Sequence, residues 1–167
     1  QRFAFIEDEN RKYYHAMVFF VDEAIGEITR TLKRRPGLWQ ETLIVVHADN
    51  GGPIHDSLAG AGANNYPLKG GKASNWEGGI RAAAFVSGGF LPKKVRGRTQ
   101  TGLTAAWDWY ATFAALAGVD ATDVRAAKAG LPPLDSFNLW PLISGEAATS
   151  PRTEVAIGDD DGSKGGG

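Results

Sequence analysis

The chain has 167 residues, with 43 % hydrophobic and 22 % charged content. That is enough length and apolar material for a domain with its own core, and it excludes a disordered chain as the starting expectation. Eighteen Lys and Arg against nineteen Asp and Glu give a formal net charge of -1, so no global field favours nucleic acid or an anionic membrane, and any anion specificity must be local. Cysteine is absent, which excludes disulfides, thiolate metal sites and a cysteine nucleophile within this stretch. No apolar run approaches the roughly 18 to 20 residues of a membrane span, and the amino end lacks the basic-then-apolar layout of a signal peptide.

Gln1 stands first and the one methionine, Met17, lies inside a helical pattern, so the chain is expected to be processed or incomplete. From Asn10 to Arg35 the residues Tyr14, Met17, Val18, Val21, Ile25, Ile28 and Leu32 recur at steps of three and four, which predicts an amphipathic helix packed on one face. Lys33, Arg34 and Arg35 suit its negative carboxyl end, and Pro36-Gly37 stops it. Thr42 to His47 is a nearly unbroken β-branched run, the pattern of a strand covered on both faces. A helix leading into such a strand points to an α/β layered domain, in which ligands bind just beyond the carboxyl ends of the strands.

Just beyond that strand lies Ala48-Asp49-Asn50-Gly51-Gly52. Asp49 and Asn50 offer the hard oxygens that calcium and magnesium take, although Asp-Asn-Gly-Gly is a run of common turn formers and, taken alone, reads more readily as a turn. Residues 51–79 form a long connection with eight glycines, and loops of that length are functional or disordered. Asn64-Asn65-Tyr66-Pro67-Leu68 and Trp76-Glu77-Gly78-Gly79 argue for order, since aromatics are scarce in disordered segments. Within it, Lys69 and Lys72 could each supply a point charge to an oxyanion, or be solvated surface lysines. Glu77 and Arg81 read equally as an internal ion pair or as catalytic groups. His15, His47 and His55 have no recurring metal-ligand spacing; His47 and His55 could reach a site near Asp49.

Ile80 to Val86 predicts a second short strand. Thr104 to Ala117 predicts a helix with Trp107, Tyr110, Phe113, Ala114 and Ala117 along one face and Gly118 as its stop. Leu131 to Ser144 is a Pro-rich irregular segment laid over the core, and residues 158–167 read as a Gly/Asp-rich loop or tail. No internal repeat and no boundary between two domains is evident.

The order of these segments carries a resemblance. The run Thr42 to Gly52, then Asn64-Asn65-Tyr66-Pro67-Leu68-Lys69-Gly70-Gly71-Lys72, then Trp76-Glu77-Gly78-Gly79-Ile80-Arg81, resembles the sulfatase family and, within it, the arylsulfatase B (N-acetylgalactosamine-4-sulfatase) branch. Phe5 to Arg11, Asp22 to Gly26, Asp108-Trp109 with Thr112, and Pro151-Arg152-Thr153-Glu154 also fit, so the resemblance covers about residues 3–157. It implies an alkaline-phosphatase-like α/β/α sandwich, of which residues 1–157 would be the later part of the large domain. It implies sulfate-ester hydrolysis by a formylglycine made from a cysteine, with a calcium ion polarising the sulfate. It further implies Asp49 and Asn50 as calcium ligands and Lys72 as the catalytic lysine that holds the sulfate of a small molecule or sulfated sugar. The cysteine segment and the early Asp-Asp ligand pair are not in this sequence, so the formylglycine is expected upstream and the chain alone is expected to be inactive. Ala111 stands where the family usually has proline, and Ser136 where it usually has glycine; both read as structural drift. Two other readings stay open on the sequence: a non-catalytic binding protein derived from a sulfatase, and a phosphatase or phosphodiesterase of the same superfamily, the latter disfavoured by Asn50 where such relatives pair Asp with His.

Overall fold

A computed structural model describes residues 2–55 and 60–158. The tail expected at 158–167 therefore lies, but for Gly158, outside the described residues. Contacts divide the chain into two compact units, one formed by residues up to Phe90 with the end of the chain from Ile157, the other by Leu91–Ala156.

In the first unit the three-and-four periodicity becomes helix α1, Glu9–Arg34. Asp8 caps it by accepting a 2.7 Å hydrogen bond from the Arg11 N–H, satisfying one of the donors a helix start leaves over. Lys33 and Arg34 occupy its last turn, and Gly37 turns the chain away at φ +79°. The apolar stripe is not buried as its pattern predicts: α1 has no buried residue, and Met17, Val18, Val21 and Ile28 are each more than half exposed. On the polar side Glu27 receives Arg30 and Arg34 at 2.8 and 3.2 Å, and the Arg30 hydrogen bond foremost holds its carboxyl below the usual range.

Strand β1, Ile44–His47, pairs antiparallel with β2, Ala84–Ser87, in the register Val45 to Val86 and His47 to Ala84. Among the described residues the sheet consists of these two strands. The continuous apolar run of β1 predicts cover on both faces, yet Ile44, Val45 and Val46 are half-buried and His47 is exposed. The second strand is also shorter than Ile80 to Val86: Glu77–Ile80 is instead a single helical turn, α2, because the Gly78-Gly79 backbone is drawn inward against the loop before the chain extends. At the far end of β2, the Gly89 and Phe90 N–H groups donate to the carbonyls of Trp39 and Thr42, which fastens the strand's exit to the approach of β1.

The second unit is built on α3, Asp108–Leu116. Its buried face carries Asp108, Ala111 and Thr112, while Trp107, Tyr110 and Phe113, expected to face the core, are 43 to 55 % exposed. Polar groups take the interior because each finds a partner there. Asp108 accepts from the Ala105 and Phe137 N–H groups at 2.8 and 2.9 Å and from Arg152 through both carboxylate oxygens at 2.7 and 2.8 Å. Thr112 donates to the Asp108 carbonyl and accepts from the Leu139 N–H. Arg152 also reaches the Asp135 carboxylate at 2.9 Å and lies over the rings of Trp107 and Phe137 at 5.3 and 4.8 Å. Burial alone would push the Asp108 carboxyl up, but the Arg152 hydrogen bonds, the two N–H donors and the guanidinium charge together hold it below its ordinary value. The Asp108 carboxylate first, and Asp135 after it, in turn raise the Arg152 guanidinium above its ordinary value against the effect of burial.

Among the described residues the buried apolar side chains of this unit are Leu91, Ala105, Ala111, Leu139 and Leu142. The segment Leu131 to Ser144 is irregular as expected except for one turn, α5, at Trp140–Ile143, which comes after a short helix α4 at Val124–Lys128 capped by Asp123. Ala111 and Ser136, read from the sequence as drift, are in direct contact: the Ala111 N–H donates to Ser136 Oγ at 3.0 Å, and that hydroxyl donates to the Trp107 carbonyl at 2.7 Å. A proline at 111 would have no N–H to give, and a glycine at 136 no hydroxyl to receive it.

Candidate functional site

Beyond β1 the chain is locked to the glycine-rich loop by backbone contacts rather than by side-chain packing. The Gly51 N–H donates to the Gly79 carbonyl at 2.7 Å, the Lys72 N–H to the Gly52 carbonyl at 3.1 Å, and the Gly78 N–H to the Lys69 carbonyl at 2.7 Å. The two residues after Asn50 thus sit between the segment carrying Lys72 and the turn α2. Glycine is required for this approach: a Cβ on Gly51 would fall 1.7 Å from the Gly78 carbonyl oxygen, and one on Gly71 would fall 2.7 Å from the Gly52 oxygen.

Asn65 completes the lock. Its amide oxygen accepts from the Gly52 N–H at 3.0 Å, and its amide nitrogen donates to the carbonyls of Gly52 and Gly70 at 2.9 and 3.1 Å. One side chain therefore joins the strand end to the lysine segment from both sides. The sequence alone assigns Asn65 no role; its place between the two motifs is the available sign. Ser74 closes the other side of the segment, donating from Oγ to the Gly71 carbonyl at 2.7 Å and accepting from the Gly71 N–H. Between Lys72 and Ser74, Ala73 is held at φ +69°, a left-handed conformation that costs an L-residue about 1 to 2 kcal/mol. At its other end the loop rests on α1, where Arg11 donates to the Gly62 carbonyl at 3.2 Å.

Of the residues expected at the site, Asp49 is exposed, Asn50 and Lys72 half-buried. Asp49 Oδ1 accepts the Asn50 N–H at 2.9 Å, and Asn50 Nδ2 donates to the Gly51 carbonyl at 2.8 Å, which leaves the amide oxygen as the atom Asn50 can offer a cation. A hard divalent cation suits these donors in kind. They are too few for its shell, and among the described residues no cluster of three or more His, Cys, Asp or Glu side chains could hold a metal.

The remaining candidates resolve differently. Glu77 and Arg81 form an exposed ion pair at 3.1 Å. His15 Nδ1 is engaged with the Arg11 carbonyl on α1, at a distance from the strand end in sequence and in role. His47 Nδ1 is taken up by the Ala48 carbonyl, and His55 is exposed. Lys69 places its ammonium 3.7 Å from the centroid of the Trp76 indole.

Residues 1–119 match the sulfatase family. The chain belongs to the sulfatase family. It is 38 % identical over 147 residues to arylsulfatase J of Mus musculus, 31 % over 152 residues to arylsulfatase A of Homo sapiens, and 31 % over 137 residues to steryl-sulfatase of Mus musculus. These alignments take in 87, 91 and 78 % of the chain but 22, 27 and 20 % of the relatives, so the chain spans about a quarter or less of their length. Among solved structures, Ps i-CgsB in complex with k-i-k-neocarrahexaose superposes with a TM-score of 0.68 at 39 % identity, over 84 % of this chain and 28 % of that one. The fold is accordingly that of the sulfatases. The finer expectation of an arylsulfatase B type gives way to family membership, since the similarity extends to arylsulfatases J and A and to steryl-sulfatases. No helix among the described residues is long and apolar enough to cross a membrane.

Proposed function

We propose that this sulfatase chain supplies part of a calcium-centred site that hydrolyses sulfate esters, within an alkaline-phosphatase-like α/β/α sandwich. Asp49 and Asn50 would hold the cation through their side-chain oxygens, and Lys72 would hold the sulfate. The observation that carries this reading is the backbone lock: the residues after Asn50 are hydrogen-bonded on one side to the Lys72 N–H and on the other to Gly79. That fixes the lysine's segment against the ligand pair, and fixed donors aimed at developing charge stabilise a transition state without reorganisation.

Bound there, a calcium ion would polarise the sulfate oxygens and neutralise charge on them. Lys72 would add a point charge that orients the ester and stabilises negative charge on sulfur's oxygens as the leaving alkoxide departs. The chain has no cysteine, so the formylglycine nucleophile and the remaining ligands have to be contributed from outside these 167 residues. A sulfated sugar is the favoured substrate class, supported by the oligosaccharide on Ps i-CgsB.

The test is to read the transcript upstream of Gln1 for a Cys/Ser-x-Pro/Ala-x-Arg segment preceded by an Asp-Asp pair, then to assay the encoded protein on a sulfate ester. The expected result is calcium-dependent hydrolysis that Lys72→Ala reduces by at least about a hundredfold, the scale of losing one transition-state donor. A start codon with no such segment would instead favour the non-catalytic binding protein.

A further inference from the structure

The loop that carries Lys72 also holds a second lysine in a defined place. Lys69 is exposed, and its ammonium stands 3.7 Å from the indole centroid of Trp76, itself 54 % exposed. That is well inside the range of a cation–π contact, which orders the side chain while leaving its charge and N–H donors available. The backbone beneath is fixed as well, because the Lys69 carbonyl accepts from Gly78 and the neighbouring Gly70 carbonyl accepts from Asn65. Gly70 sits at φ +80°, where a Cβ would strike Trp76 Cβ at 2.7 Å, so the indole is seated on the loop backbone.

Charge makes this arrangement informative. The nearest acid along the chain, Glu77, is committed to Arg81 at 3.1 Å. Among the described residues no carboxylate pairs with Lys69, which it shares with Lys33, Lys72, Lys93 and Lys94; what distinguishes it from Lys72 on the same loop is an ammonium ordered on an aromatic ring. An ammonium pre-ordered on an aromatic face and left without a counter-charge is suited to receive an anion from solution. Two residues separate it from Lys72, so the Cα atoms of the two lysines lie at most about 11 Å apart, on the scale of one disaccharide.

We infer that Lys69, held by Trp76, is a specificity-determining contact for a second anionic group, sulfate or carboxylate, carried within about a disaccharide of the scissile sulfate. This rests on the reading of Lys72 as the sulfate-holding lysine and narrows its substrate class from sulfate esters in general to polyanionic saccharides. Lys72 engages the reacting sulfate; Lys69 engages its neighbour and raises affinity only for sugars that have one.

The experiment is titration calorimetry of the full chain at low ionic strength with three probes: a monosulfated neutral disaccharide, a disulfated disaccharide, and a monosulfated disaccharide containing a uronate. The doubly charged sugars are expected to bind about fivefold more tightly than the monosulfated one, the scale of one exposed charge-assisted contact. Preference for both, or for the disulfated sugar alone, distinguishes a general anion contact from one selective for sulfate. Lys69→Gln should erase the preference with monosulfate binding unchanged, Lys69→Arg should restore it, and Trp76→Leu, which keeps the charge but frees it, should reduce it. Equal affinities for all three sugars in the unaltered chain, or a preference untouched by Lys69→Gln in a chain whose circular dichroism is unaltered, would overturn the inference. Failure of the underlying reading has a separate signature, monosulfate binding unaffected by Lys72→Ala.

Discussion

The two units of this chain are held together by different means. In the unit of Leu91–Ala156 the buried positions carry side chains, among them Asp108, Thr112, Ser144, Arg152, Leu139 and Leu142. In the unit that carries the candidate site, the buried positions among the described residues are glycines, with Gly51, Gly71, Gly78 and Gly79 drawn together at the end of β1, while the apolar stripe of α1 stays exposed. One region is specified by what its side chains satisfy, the other by where side chains are missing. The consequence is that an added side chain is resisted where the glycines meet, since a Cβ on Gly51, Gly78 or Gly79 would fall 1.7, 2.2 or 2.3 Å from a backbone oxygen.

The largest expected effect tests the side-chain half of that contrast. Arg152→Met would leave the Asp108 carboxylate buried without its counter-charge, a loss of about 3 to 5 kcal/mol. Amide hydrogen exchange should show the loss in α3 and α5 while protection of the β1–β2 ladder is kept; an equal fall in both would show that the two units unfold as one. Acid provides the same test without a mutation. Because the folded chain holds the Asp108 carboxyl below its ordinary value, the stability it contributes is complete above the unfolded value near about pH 3.9, and drains as pH falls through the folded value. Asp108→Asn should remove that acid-dependent limb from the unfolding curve, at the expense of a lower plateau near neutrality.

A smaller effect is expected from the glycine half. Gly51→Ala places a methyl 1.7 Å from the Gly78 oxygen, so the loop must move away, at about 1 to 3 kcal/mol for overpacking. Exchange of the Gly51 and Lys72 amides should accelerate and sulfate-ester binding should fall, with the Arg152 network unaltered. A silent Gly51→Ala would mean that the Gly51–Gly79 contact does not hold the loop.

The same contrast explains which features the sequence discloses. The place of Asp49 and Asn50 just beyond β1 is legible because the strand's apolar run is local, while their roles and that of Lys72 rest on the family resemblance; α1 is legible to within one residue at each end because its period and caps are local. Hydrophobic pattern misleads where tertiary partners decide. It points Trp107, Tyr110 and Phe113 to the core face of α3, where the interior belongs to Asp108 and Thr112, whose partners lie 25 or more residues away in Phe137, Leu139 and Arg152. It also extends β2 back to Ile80, because no local signal reveals that Gly78-Gly79 must turn inward to meet Gly51. Asn65 escapes for a related reason: an asparagine in a loop looks like any turn former until the two segments it joins are seen side by side.

The smallest effect distinguishes coupling from drift at the two positions that depart from the sulfatase pattern. Ser136 Oγ receives the Ala111 N–H and donates to the Trp107 carbonyl, so Ser136→Gly strips a partner from each and should cost about 1 kcal/mol. Ala111→Pro removes the donor and brings a ring against the hydroxyl, with a cost of similar size. If the pair changed together, the double variant Ala111→Pro with Ser136→Gly should cost less than the sum of the singles, because the proline needs no acceptor and the glycine leaves room for its ring. A double-mutant cycle in urea should return a favourable coupling of about 1 kcal/mol, above the few tenths expected for independent sites. Strict additivity would show that the hydroxyl bridge contributes nothing to the choice of residue at either position.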